Sequence, residues 1–210
     1  MHIELTEMLR CPESHGEAFL VMSTGEMLGR MVRSGILGCP ICRREFPILN
    51  GVVNFAGKGK GETGNVDDTQ PTFPVSRFPR PAVGPETLQA LLDLSGPGGY
   101  IVLVGAAARH AVGLAGLMGG IHFIGINAPA DVEELPILSL LVCPGMIPLR
   151  QTIARGAVVG SDRLGSEWLA EARRVVLPGR RVVIEGEDVP VPVGLTRLAA
   201  GEGLFVGERR

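Results

Sequence analysis

The spacing of apolar positions changes character along the chain. From Pro85 to Leu94, the residues Leu88, Leu91, Leu92 and Leu94 recur at helical spacing and predict a helix with one apolar face. Gly96 to Gly99 ends it. Tyr100 to Val104 (YIVLV) is a continuous apolar run, the pattern of a strand buried on both sides. Ala106 to Met118 suits a helix, Ile121 to Ile126 a second strand, and Asp131 to Leu135 a short helical turn ended by Pro136. Leu138 to Val142 and Ala157 to Gly160 read as further strands, and Glu167 to Val175 as a helix closed by Pro178-Gly179. Arg181 to Glu185 is a strand, an extended segment follows, and a last strand lies around Leu204 to Val206. Such alternation predicts an α/β fold: a mostly parallel sheet with helices on both faces.

The pattern is different upstream. Phe46-Pro-Ile-Leu49 and Val52-Val-Asn-Phe55 are two short apolar strands joined by Asn50-Gly51, the signature of a hairpin with a type I′ turn. Residues 57–79 are rich in Gly, Pro and polar residues without apolar periodicity and read as a linker. The chain therefore divides into a small domain at 1–56, a linker at 57–79 and a larger domain at 80–210.

Composition narrows the possibilities. Hydrophobic residues make up 45% and charged residues 20%, as in a globular protein, but aromatics are only 4%, so the core must be built from Val, Leu, Ile and Ala. A net charge of -2 gives no support for a nucleic-acid or anionic-membrane partner. Two apolar stretches fail as membrane spans: Tyr100 to Asn127 carries Arg109 and His110 near its centre, and Leu135 to Leu149 is short and holds three prolines. Met1 to Arg10 is charged and lacks the apolar run of a signal peptide. The expected location is the cytoplasm, where reduced thiols favour metal binding over disulfides.

Three of the 4 cysteines lie in the first 56 residues. Cys39-Pro-Ile-Cys42 is a C-x-x-C knuckle whose tight turn aims two thiolates at one ion. Cys11-Pro12 opens a second knuckle, with Ser14, a poor ligand, three residues on and His15 one residue further. The expected set is Cys11, His15, Cys39 and Cys42 around a structural Zn2+. A redox pair or simple buried thiols at Cys39 and Cys42, and water or Glu13 in place of His15, are the alternatives. A closed four-ligand site leaves no position for substrate, and the metal supplies stability that a core of this size lacks.

Residues 7–56 resemble the small zinc-ribbon family of methyltransferase activators and its stand-alone bacterial relatives. The matching stretches are LRCPESHG and LGCPICRREFPILNGVVNF; Ser14 departs from the family's second cysteine. The resemblance implies a module that binds and stabilises methyltransferase domains, with a methyltransferase or a larger complex as protein partner.

Residues 97–185 resemble a class I methyltransferase that uses S-adenosylmethionine. The landmarks are Tyr100 to Gly105, Ile124-Gly-Ile-Asn127, Ile147-Pro-Leu149 before Gly156 to Asp162, and the stretch from Leu169 through Pro178-Gly179 into the following strand. The family's cofactor anchors are missing. Its acid before the glycine-rich turn is Leu103, the turn keeps only Gly105, the ribose-binding acid is Asn127, and two further acid positions fall at Cys143 and Gly156. Of the cofactor-contacting positions only Gly105 and Asn127 retain any suitability, so S-adenosylmethionine is not expected to bind. Arg109 and His110 read as exposed helix residues, Asp162 as a helix cap, and Cys143 as a buried strand cysteine. His2, His15, His110 and His122 stand in unrelated contexts, and no nucleophile–base pair is visible, so no catalytic residue is assigned. The sequence thus predicts a non-catalytic zinc-ribbon and pseudo-methyltransferase chain acting as a binding, activating or scaffold subunit. An active methyltransferase with an atypical pocket and a small-ligand sensor are the rival readings.

Overall fold

The computed structural model of the protein describes residues 1–56, 83–132 and 134–210. The expected linker lies outside the described residues. A short 3-10 helix at Ile3–Met8 is followed by β1 (Val21–Thr24), β2 (Met27–Leu28), β3 (Met31–Val32), β4 (Gly35–Gly38), β5 (Glu45–Leu49) and β6 (Val52–Asn54). The second segment comprises α1 (Pro85–Leu92), β7 (Tyr100–Val104), α2 (His110–Leu117), β8 (His122–Ile126), β9 (Leu138–Val142), β10 (Ala154–Val159), α3 (Ser166–Val175), β11 (Val176–Glu185), β12 (Leu195–Gly201) and β13 (Leu204–Arg209). No helix among the described residues is long and apolar enough to cross a membrane.

One 11-stranded sheet runs through both segments, in the order β1-β4-β5-β6-β9-β8-β7-β10-β11-β13-β12. β7 to β11 are mutually parallel, and β13 enters antiparallel between β11 and β12. The fold is α/β, with a parallel-dominated mixed sheet. The two segments meet where β6 pairs with β9 in parallel, Val52 opposite Leu140, Val53 opposite Leu141 and Asn54 opposite Val142, and the Phe55 amide extends the ladder to the Val142 carbonyl at 2.7 Å.

Alternation along the strands sorts the core into two layers. Ile101, Leu103 and Phe123 point to one face and pack with Leu88 and Leu92 of α1 and Ala111 and Leu114 of α2. Val102, Val104, Ile124 and Ile126 point to the other face and pack with Trp168, Leu169 and Ala172 of α3. Leu5, Leu9, Leu37, Phe46, Ile48 and Val53 of the first segment belong to that second core, so the first segment continues the α3 layer.

The expected hairpin is present. Asn50 and Gly51 have φ of 49° and 82°, the left-handed pair a type I′ turn needs. The Gly51 carbonyl also accepts a 2.6 Å hydrogen bond from the Met1 amino group, which reaches the Val32 carbonyl at 3.1 Å. β11 begins at Val176, earlier than the sequence pattern suggests. Between its pairings of Val176 with Ala154 and Arg181 with Gly156 the register shifts, and Pro178-Gly179 rides on the excursion.

A shared sheet and core make the ribbon's packing felt in the second segment. The single tryptophan, Trp168 on α3, reports on that segment. Leu37→Ala, a truncation in the ribbon core, should therefore shift the Trp168 fluorescence transition in urea by about 2–5 kcal/mol. An unmoved transition would mean that the segments fold independently.

Candidate metal centre and the altered crevice

Cys39 closes β4, and the chain turns back through Cys42. The Cys39 amide donates to the Arg44 carbonyl at 2.9 Å, the Arg43 amide donates to the Cys39 carbonyl at 2.9 Å, and Arg43 takes the left-handed conformation with φ of 59°. This knuckle brings Cys42 Sγ to 3.7 Å from Cys11 Sγ and Cys39 Sγ to 3.4 Å from His15 Nε2. Ligand atoms of all four residues lie within 4.8 Å of one another. A tetrahedral ion with thiolate bonds of about 2.3 Å and imidazole bonds of about 2.0 Å has edges of about 3.8 Å between sulfurs and about 3.5 Å from sulfur to nitrogen. The donor set therefore matches a tetrahedral site in chemistry and spacing. His15 Nδ1 lies 2.8 Å from the Gly16 carbonyl, which fixes the tautomer that offers Nε2 as an acceptor. Glu13 is taken up by an ion pair with Arg44.

The thiols are unequal without an ion. Burial pushes the Cys11 thiol up to about 12. At the exposed Cys42 what burial there is works the same way, but hydrogen bonds from the Arg44 amide, His15 and the other two thiols outweigh it and hold this thiol at about 7.

At the carboxyl ends of the strands, the positions expected to face a cofactor, Gly105 and Asn127, lie in contacts within the chain. Asn127, 2% exposed, donates from Nδ2 to the Cys143 carbonyl at 2.8 Å and accepts the Cys143 amide at 2.9 Å. It staples the end of β8 to the end of β9. Gly105 has φ of 63°, and a Cβ placed there would lie 2.5 Å from both Asp162 carboxylate oxygens. Asp162 Oδ1 accepts the Ala106 amide at 2.8 Å. The turn after β7 thus presents its amide to a carboxylate of the same chain. A Cβ at Gly160 would lie 2.9 Å and 2.8 Å from the Ala106 and Ala107 nitrogens, so the ends of β7 and β10 are in close contact. Leu103 is fully buried against the α1–α2 layer, and a Cβ on Gly156 would meet Leu92 at 3.0 Å.

Several expectations are corrected here. Asp162 does not cap α3, whose N-cap is Gly165 without a side-chain bond; it ties two strand ends together. His110 is buried, with Nε2 2.7 Å from Glu185 Oε1 on β11, and Arg109 grips Asp131 through two bonds of 3.0 and 3.1 Å. Neither is a free helix residue: Arg109 ends the 3-10 turn Gly105–Arg109 and His110 opens α2, both at the carboxyl end of β7. His2 and His122 are not in unrelated contexts, since their ring centroids are 4.5 Å apart. Cys143 is buried, as expected, just beyond β9, where burial raises its thiol to about 12. No periodicity could have paired Asn127 with Cys143 or Asp162 with Ala106, because each bond joins two loops.

Asn127 needs both its donor and its acceptor. Asn127→Asp should lower stability by about 3 kcal/mol in chemical denaturation, because it sets a buried carboxylate against a carbonyl. Wild-type stability in that variant would show that position 127 is open to solvent.

No protein-family model matches the chain, and no curated protein matches it. Among solved structures it is similar to a chain in the complex between the Haloferax volcanii Trm112 methyltransferase activator and a methyltransferase. The TM-score is 0.38 at 17% identity, covering 47% of this chain and 50% of that one, so the match spans half the length of that protein. A Methanococcus maripaludis protein described as an S-adenosyl-L-methionine-dependent methyltransferase matches with a TM-score of 0.46 at 12% identity, over 60% of this chain and 83% of that one. A Streptococcus thermophilus protein described as a hemolysin matches with a TM-score of 0.44 at 13% identity, over 78% of this chain and 73% of that one.

Proposed function

We propose that this chain is a non-catalytic subunit of the cytoplasm. In this reading a zinc ribbon is built into the sheet of a methyltransferase-like domain that has given up its cofactor, and the whole binds or scaffolds a protein partner. The observation that carries the reading is the Asp162 carboxylate on the Ala106 amide. An anionic or polar cofactor group seated on that turn would have to displace an internal carboxylate at a position where a Cβ would already be too close. Asn127, spent on Cys143, offers nothing to a ribose.

Zn2+ fits the four donors. Two cysteines and His15 approach from the 11–15 and 39–42 loops, and the third thiolate, Cys42, completes the set at the surface. Bound there, the ion would contribute structure rather than reaction chemistry, since four protein ligands fill a tetrahedral shell.

The partner surface fits best on the ribbon. Phe19, Val21, Leu28, Ile36 and Ile41 are all exposed, and Val21 belongs to β1, the last strand at that end of the sheet. Exposed apolar residues beside a strand edge suit a protein partner better than solvent.

Titration calorimetry with S-adenosylmethionine should show no heat of binding up to millimolar concentration. Micromolar binding would establish the rival reading of an active methyltransferase. Elemental analysis of the purified chain should give one tightly held zinc. Cys39→Ser should lose it, and the ribbon's share in the α3 core should carry the destabilisation to the Trp168 transition. A Cys39→Ser variant that keeps a full equivalent of tight zinc would remove these residues from the site.

A further inference from the structure

His2 and His122 come from opposite ends of the sequence and meet beneath the sheet. His2 precedes the first 3-10 helix, and His122 is the first residue of β8, at the end of the parallel strands opposite the crevice. Their rings stand 4.5 Å apart at 50°. Glu4 lies beside them, with Oε2 3.7 Å from His2 Nδ1. One ligand atom from each of the three residues falls within 4.8 Å of the other two. His2 is 6% exposed, and both Nδ1 atoms are buried without a hydrogen-bond partner among the described residues. Two buried imidazole nitrogens left unsatisfied in one place are costly, and a shared ion would satisfy them.

We infer that His2, Glu4 and His122 form a second divalent-metal site, separate from the cysteine cluster, that takes a borderline cation such as Zn2+. Two imidazoles and one carboxylate suit zinc, cobalt and nickel better than magnesium or calcium. Ligation would draw the three atoms inward by on the order of 1 Å, and the exposed Glu4 side chain has the freedom to move.

Arg30 bears on the affinity. It pairs with Glu4 Oε1 and leaves Oε2 facing His2. The ion would therefore meet one carboxylate already half-neutralised by a guanidinium, which argues for micromolar rather than nanomolar binding. With only three protein donors, the ion would keep at least one position for water or an external ligand. It would also clamp the N-terminal segment to the base of β8, next to the bond from the His2 amide to Ser139 Oγ at 2.9 Å.

The experiment is equilibrium dialysis of the untagged full chain against Zn2+, read by elemental analysis. The wild type should take up one tight equivalent and a second in the micromolar range. His122→Gln should keep the first and lose the second. Glu4→Gln, at an exposed position that will not disturb folding, should weaken the second at least tenfold while leaving the first unchanged. His2→Gln stands in for His122→Gln should the latter fail to show the native Trp168 fluorescence. A wild type that stops at one equivalent in excess Zn2+ overturns the proposal. So does a second equivalent that survives the histidine substitution, or one that Glu4→Gln leaves at full strength.

Discussion

The parallel ladder between β6 and β9 is the contact on which the rest of the architecture depends. Three paired positions and the Phe55 amide turn the small first segment, with its Cys/His cluster, into the continuation of an α/β sheet. A strand edge carries unpaired amides and carbonyls that must find partners. The outer edge of β9 and the free edge of β6 satisfy one another within the same chain. Once they are joined, the ribbon's apolar side chains have only one place to go: the α3 face, where Leu37, Phe46 and Val53 enter the same core as Val102 and Ile126. The first segment therefore draws its stability from a shared core, although a domain of its size ordinarily needs a metal or other staple to stand alone.

The ladder also bears on the crevice. Asn127 N–H donates to the Leu141 carbonyl at 2.8 Å, and its side chain closes onto Cys143 just past the end of β9. The strand that receives the ribbon is thus pinned at its far end by the residue that stands in the ribose position of the methyltransferase pattern. On the other side of β7, Asp162 fixes the turn at Gly105. Both bonds hold strand ends together at the carboxyl end of the sheet, where open α/β folds keep their crevice.

The sequence carried the central elements well. YIVLV, HFIGI and the run from Leu138 became adjacent parallel strands, as short, largely apolar runs of five residues between turn residues suggest. The Cys/His cluster was legible for a chemical reason: cysteine and histidine at knuckle spacing have few other uses, and His15 rather than Ser14 is the residue that reaches Cys39. β1 to β4 were not anticipated, since strands of two to four residues with exposed positions have no period long enough to detect. β12 was missed for a related reason: after Leu195 its residues are largely exposed, so alternation is lost. The junction of β6 with β9, the His2–His122 contact and the His110–Glu185 pair all join residues more than 70 positions apart. Local pattern is silent about such contacts, which explains why the two segments read as independent.

The same contacts show why positions 103, 127 and 156 do not simply exchange for acids. A carboxylate at position 103 would enter a layer made by Leu88, Leu92, Ala111 and Leu114, where no described group could pair with it. Burying a charge without a partner costs several kcal/mol, a large part of a typical domain's stability. A carboxylate at position 127 would lose the bond to the Cys143 carbonyl. A residue larger than glycine at 156 would press on Leu92 of α1. Each of these three positions has a packing or bonding role that an acid would disturb. The apolar choices at these positions and the polar staples beside them reinforce one another, because a sheet end closed by Asn127 and Asp162 stabilises the strand ends only while no ligand has to enter. In this sequence, the stability of the sheet ends and an open crevice between them are competing demands on the same residues.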